Sequence, residues 1–337
     1  MFRFLYLFVF LILGCFLCKG NTANSISFYF WKTHFLLSDY EKETLDKFHS
    51  QKIYLRFFDL DLVDNQVMPI GQVKITSKTV GLEIIPVVYI TNRSLIGISE
   101  DSTKNLAKKV FHKIEVIAAN SNIVYNHVQF DCDWNDSSQK NYFLFLNEFR
   151  KISKYKISST IRLHQIKYRE KTGVPPVEEG FLMFYNMGKL SVNSDRNSIF
   201  NAKDSIRYMA RIREYPLPLS YILPIFSWMI HSRDGQIIDL IAKTEFSDFF
   251  YDTNVEKTTN ENVYIIKESF LKHGKFFKTG DLIKLERMNQ KKLLEAATLL
   301  KDFGKEGNPE IIFFDLDEFN IKGITYETLY KTISILY

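Results

Sequence analysis

Phe58-Asp59-Leu60-Asp61, Phe130-Asp131-Cys132-Asp133 and Phe314-Asp315-Leu316-Asp317 repeat one pattern three times, and each closes an apolar run. In an extended chain successive side chains point to opposite faces. The two aspartates of each stretch therefore share one face, while Phe and its Leu or Cys partner share the other. Such a strand suits a sheet that is covered by helices on its apolar face and shows carboxylates at one end of its other face.

Working outward, apolar strand-like runs alternate with segments of helical period, the signature of βα units around a parallel sheet. Eight strand candidates emerge: Ser27 to Trp31, Ile53 to Leu60, Glu83 to Ile90, Val128 to Asp133, Ile157 to His164, Gly180 to Tyr185, Tyr221 to Ile230 and Glu310 to Asp317. Ser38 and Glu41 are spaced as a capping box, and Asp136 with Gln139 similarly precede the stripe Tyr142, Phe145, Leu146 and Phe149. Further helices are expected over Thr103 to Ala119, from Leu293 to a stop at Gly304, and after Thr325. The expectation is an α/β fold, a (β/α)8 TIM barrel over 25–337, with insertions after strand 2 and between strands 7 and 8. The second insertion spans about 235–286. Pro86 and Pro224, which lack a ladder donor, argue against two of the strands as central ones.

Of the 337 residues 46% are hydrophobic and 25% charged, which excludes disorder and low-complexity sequence as descriptions of the chain. The net charge of +5 is small and dispersed, and excludes a nucleic-acid track. Met1 to Gly20 read as a signal peptide or lipoprotein signal: Arg3 precedes an apolar run that ends at Cys18, shorter than the roughly 20 residues of a membrane span. Ile12-Leu13-Gly14-Cys15 resembles a bacterial lipobox with Cys15 as the lipidated residue, and cleavage after Gly20 or Ala23 is the other reading. The expectation is an exported protein, at the cell envelope, periplasmic or secreted, whose contact with membrane is confined to a lipid anchor. Cys132 is the sole thiol beyond this segment, so no intramolecular disulfide framework is available.

Strands 2, 4 and 8 are all even, and alternate strands of such a barrel feed the same internal layers. Their carboxylates would converge at the C-terminal mouth. Carboxylates crowded there separate in pKa, giving a protonated acid beside an ionised base, the pair that glycoside hydrolysis uses. Asp131 and Asp133 are the expected core, with Asp315 or Asp59 as second catalytic carboxylate. Asp61, Asp317, Arg162, His164, Tyr185, Asn186 and Trp228 are expected to orient a carbohydrate. Arg56 lies out of phase with Asp59, so both reach the lumen only if strand 2 bulges. The simpler expectation is that a strand-end Asp merely caps the next helix. Two other functions fit the same residues: a non-catalytic glycan-binding barrel, and a metal-dependent phosphoester hydrolase in which the aspartates hold Mg2+ or Ca2+. No cofactor is expected, and no His or Cys cluster with metal spacing occurs.

Val128 to Trp134, together with Met183-Phe184-Tyr185-Asn186, resembles two stretches of family 18 glycoside hydrolases, the chitinase-like barrels. There strand 4 carries Asp-x-Asp-x-Glu with Glu as the acid, and strand 6 carries Met-x-Tyr-Asp, whose last two residues position an N-acetyl group. Asp131 and Asp133 match the aspartates, and Met183 and Tyr185 match strand 6; Asn135 stands where that Glu would be, and Asn186 replaces the Asp. Over nearly the whole chain beyond the leader, the sequence is also similar to an uncharacterised group of bacterial, often lipoprotein, glycosidase-like barrels. Phe130 to Trp134, Ser159 to His164 and Met183 to Gly188 carry that likeness. The resemblance implies a barrel with its chemistry at the mouth.

Overall fold

The computed structural model describes residues 26–243, 253–260, 262–272 and 274–337. The leader with Cys15 lies outside these residues. Eight parallel strands close into a barrel: β1 (Ile26–Phe30), β2 (Lys52–Val63), β3 (Glu83–Ile90), β4 (His127–Asp131), β5 (Lys156–Arg162), β6 (Glu179–Met183), β7 (Leu219–Pro224) and β8 (Ile311–Phe314). Pairing of β1 with both β8 and β2 completes the ring. The fold is thus the (β/α)8 TIM barrel expected from the repeating runs.

Helices cover the ring, and the first begins at the capping box that the sequence marks. In α1 (Asp39–Lys47) the Ser38 hydroxyl accepts from the Glu41 N–H while the Glu41 carboxylate accepts from the Ser38 N–H. In α2 (Glu100–Asn120) Leu106, Val110, Ile114 and Ile117 are buried, and in α3 (Gln139–Ser153) Tyr142, Phe145, Leu146 and Phe149 are buried. No capping box forms at Asp136. Ser138 is the cap residue of α3, and Asn135 instead closes the preceding turn on the Ser137 N–H. A short α4 (Leu163–Lys167) follows β5, α5 (Ala202–Met209) follows β6, α6 (Gln290–Phe303) precedes β8, and α7 (Tyr326–Leu336) closes the chain. The outward strand residues pack on these helices. Phe130 meets the rings of Phe145 and Phe149 nearly edge-on at centroid distances of 5.1 and 4.8 Å, and Cys132 and Leu316 are buried.

Two departures from the simple unit shape the mouth. No helix follows β2. The strand runs past the barrel level and turns into an antiparallel partner, Gln66–Ile70. The chain after β7 builds an antiparallel sheet from Ser227–Arg233, Gln236–Ala242, Val255–Lys257, Val263–Ile266 and Leu282–Arg287, with its own small core around Met229, Ile266 and Phe277. The run read as one strand from Tyr221 to Ile230 is therefore two, because β7 ends at Pro224 and a new sheet starts at Ser227. Pro224 is the last residue of its strand. Pro86 lies inside β3 opposite Leu55, beside a slip of register in β2 between Arg56 and Phe58, the kind of irregularity that tolerates a missing donor. Among the described residues no helix is long and apolar enough to cross a membrane.

Candidate active site

At the C-terminal end of the barrel a cleft of about 430 Å³ is lined by Asp59, Asp131 and Asp315 together with Tyr89, Tyr185 and Asn186. Register explains the convergence. Asp59, Tyr89 and Asp131 occupy one row across β2, β3 and β4, so all three point to the same side. Asp315 follows the last residue of β8, and Tyr185 and Asn186 lie just beyond β6. Much of the remaining wall is aromatic. Trp31, Phe226, Trp228 and Phe314 are half-buried and line the same cleft, with Trp31 and Phe314 centroids 5.4 Å apart and Tyr185 and Phe314 5.6 Å apart. Rings that show part of a face to solvent in a cleft are surfaces on which a sugar can stack.

The carboxylates differ in what holds them. Asp131, 7% exposed, accepts from the Thr160 hydroxyl at 2.6 Å; burial, with Asp133 next to it, pushes it up to about 7. Asp133 is more open and is gripped from both oxygens by the Arg162 guanidinium. Asp315, 6% exposed, accepts from Asn320 Nδ2 at 2.6 Å; burial, then Asp317, pushes it up to about 6. Burial also pushes Asp317 upward, but Lys243 at 2.7 Å and Lys32 at 3.4 Å outweigh it and hold this carboxyl below its ordinary value. Asp317 in addition caps the short helix Glu318–Lys322 by accepting from the Phe319 N–H, which is the simpler expectation for a strand-end Asp realised at one of the three stretches. Asp61 is bound bidentately by Arg93 and accepts from the Thr91 hydroxyl at 2.8 Å; the Arg93 hydrogen bonds hold it far below the carboxylate range despite its burial. Asp59 pairs with Arg56 through both oxygens, and the bulge in β2 is what brings the two side chains to one side.

Asp59, Asp131, Asp315, Tyr185, Asn186 and Trp228 thus share the cleft, whereas Asp61, Asp133, Asp317, Arg162 and His164 do not line it. Arg162 and Asp133 border it as an ion pair that acts on Asp131. His164 is placed differently from the expected strand: β5 ends at Arg162, and His164 lies on α4, exposed. Trp228 reaches the cleft from the antiparallel sheet, not from β7. Asn135 is exposed on the turn before α3 and does not line the cleft. Burial, with Asp131 next, raises the Tyr185 hydroxyl well above its ordinary value, so it stays a neutral donor. Among the described residues no group of three or more His, Cys, Asp or Glu is arranged to hold a metal ion.

Sequence reasoning missed Trp31, Tyr89, Phe226, Phe314, Lys32, Lys243 and Asn320, all of which line the cleft. For Trp31 and Tyr89 a signal existed, since each sits at or near the end of a strand run as the aspartates do; Phe314 corrects the alternation reading, which put it on the helix side, because its ring lines the cleft against Trp31 and Tyr185. For Phe226, Lys243 and Asn320 there was none, because the link from β7 to the antiparallel sheet, the end of that sheet's second strand and the short helix after β8 bring them in.

No family model and no curated protein sequence matches the chain. Solved structures do match in fold. The spore cortex-lytic enzyme SleL of Bacillus cereus is 12% identical at a TM-score of 0.54, covering 93% of this chain and 74% of that one. A chitinase from Chromobacterium violaceum is 9% identical at 0.54, covering 92% and 99%, and the C-terminal domain of a putative chitinase from Desulfitobacterium hafniense is 9% identical at 0.51, covering 93% and 100%. The barrel of this chain is similar in fold to those of these chitinase-like and cortex-lytic proteins.

Proposed function

We propose that this protein is an exported glycoside hydrolase that cleaves a glycan in the barrel mouth, with Asp131 as proton donor and Asp315 as the ionised partner. The observation that supports this most is that two buried carboxyls from the ends of different strands line one aromatic cleft, both raised by burial into the range in which an acid can hold or release its proton near neutrality. Asp131 is raised further than Asp315, which makes it the better candidate for the protonated member. Asp131 would protonate the leaving glycosidic oxygen, the Asp315 carboxylate would stabilise the positive charge that develops at the anomeric carbon, and water would add to that carbon, giving up a proton that restores Asp131 to its acid form. Asp133 tunes Asp131: its charge raises the Asp131 pKa, and Arg162 limits that rise. Asp59 and Asp61, each locked to an arginine, hold the wall in shape. The substrate is an envelope or extracellular glycan, in keeping with the leader sequence and with chitinases and a cortex-lytic enzyme as fold neighbours.

The test is release of new reducing ends from chitooligosaccharides and purified peptidoglycan by the wild-type chain, by Asp131→Asn and by Asp315→Asn. Loss of about a hundredfold or more in both variants supports the assignment; unchanged turnover in either removes that residue from the mechanism. One observation favours a non-catalytic glycan-binding barrel as second reading: Asn135 stands in the sequence where the resembled family has its acid, and it does not line the cleft. Glycan binding by the wild-type chain with no product under any condition would establish that reading instead.

A further inference from the structure

Trp228 and Glu286 stand directly opposite each other on antiparallel strands of the second sheet. Glu286 is 2% exposed, and its Oε2 accepts from the Trp228 indole N–H at 3.0 Å, from the Ser198 N–H at 2.9 Å and from the Ser198 hydroxyl. Its Oε1 lies 2.7 Å from the Lys284 ammonium, two residues back on the same face. Lys284 is equally buried and donates to three carbonyl oxygens of the loop between β6 and α5: Ser191 at 3.2 Å, Ser194 at 2.6 Å and Arg196 at 2.7 Å. A buried ion pair is a poor source of stability, since apolar residues of the same volume often serve better; what it supplies is fixed geometry. Here that geometry ends at an indole in the wall of the cleft, whose ring also meets Phe226 edge-on at 5.4 Å.

We propose that Glu286 is a positioning residue: it fixes the angle at which Trp228 meets a sugar ring, and through Lys284 it ties that platform to the loop that leaves β6. The assignment rests on the proposed function and adds to it that the second sheet sets substrate affinity without touching the reacting atoms. An indole with its N–H held by a carboxylate cannot swing about its side-chain torsions, so its stacking surface is in place before substrate arrives. Glutamine at 286 keeps an acceptor for the indole but weakens it and discharges the Lys284 pair. Leucine removes both.

The experiment uses the full chain labelled with 15N. Its three tryptophans give three indole N–H signals, and Trp228→Phe identifies the one that matters. In Glu286→Gln the Trp228 signal moves upfield while those of Trp31 and Trp134 stay in place. With chitopentaose as probe, saturation shifts the Trp228 signal in the wild-type chain, and KM rises about three- to tenfold in Glu286→Gln with kcat little changed, the loss expected for one misaligned aromatic contact. Glu286→Leu gives a larger rise, and where it folds poorly the glutamine variant carries the test alone. A Trp228 signal that ignores the change at 286, or glycan binding that leaves that signal fixed, overturns this assignment alone. A chain that takes up neither chitopentaose nor peptidoglycan fragments overturns the proposed function and the assignment together.

Discussion

Replacing Asp131 by Asn should make the protein more stable at alkaline pH while abolishing its activity. A carboxyl whose folded pKa is raised is protonated in the native state at a pH where the unfolded chain has already ionised. The unfolded state then binds fewer protons, and stability falls as pH rises between the two values. For Asp131 the interval runs from the ordinary 3.8 to about 7. At about 1.4 kcal/mol per pH unit the full penalty is about 4 kcal/mol, felt completely above pH 7 and absent below pH 4. Asparagine has nearly the same shape, keeps an oxygen for the Thr160 hydroxyl that now bonds Oδ1, and never ionises. Urea unfolding of both proteins at a series of pH values from 4 to 8.5 provides the assay. The stability difference in favour of Asp131→Asn should grow from near zero to as much as about 4 kcal/mol over that range. A difference that does not change with pH, or one that favours the wild-type chain increasingly as pH rises, would refute the argument that Asp131 is a desolvated acid.

Three further outcomes follow from the same geometry. The pH profile of hydrolysis should be a bell, rising through about 6 as Asp315 ionises and falling through about 7 as Asp131 loses its proton; a monotonic profile across that range would count against the pair. Arg162→Met removes the partner of Asp133 and should cost about 2 kcal/mol by chemical denaturation, and it should move the alkaline limb upward, because the guanidinium now lowers the Asp131 pKa; an unmoved limb would dissociate the ion pair from the acid. Asp317→Ala removes a helix cap and the carboxylate between Lys243 and Lys32, and should cost about 1 kcal/mol near neutrality. Because the folded pKa of Asp317 is depressed, its stabilisation is fully present above the ordinary carboxylate value and is lost as pH falls from there through the lowered folded value, so the two proteins should converge in acid.

The barrel was legible because its requirements are local and repeated. Alternation at Phe130-Asp131-Cys132-Asp133 reports which side faces the lumen, and Cys132 is buried while Asp131 lines the cleft, as alternation requires. The helical stripe from Tyr142 to Phe149 reports its own buried face in the same way. The bulge in β2 was legible too, as the condition on which Arg56 and Asp59 could both face inward. What the sequence hid depends on contacts between distant segments. Nothing near Asp133 announces that Arg162 neutralises it, and nothing near Trp228 reveals that the strand after Pro224 leaves the barrel. His164 was misplaced for a local reason, since the chain turns helical one residue after Arg162 and the period of two no longer applies.

Hydrolysis at this site requires a glycan lying across the cleft with Asp131 at its scissile oxygen. A crystal structure of Asp131→Asn soaked with chitopentaose or a peptidoglycan fragment addresses this directly. The predicted result places a glycosidic oxygen about 2.6 to 3.2 Å from the side chain at 131, with the Asp315 carboxylate at the adjoining sugar and a ring face on Trp228. A saccharide bound elsewhere on the molecule, or one in the mouth whose glycosidic oxygens stay out of reach of both residues, would contradict it.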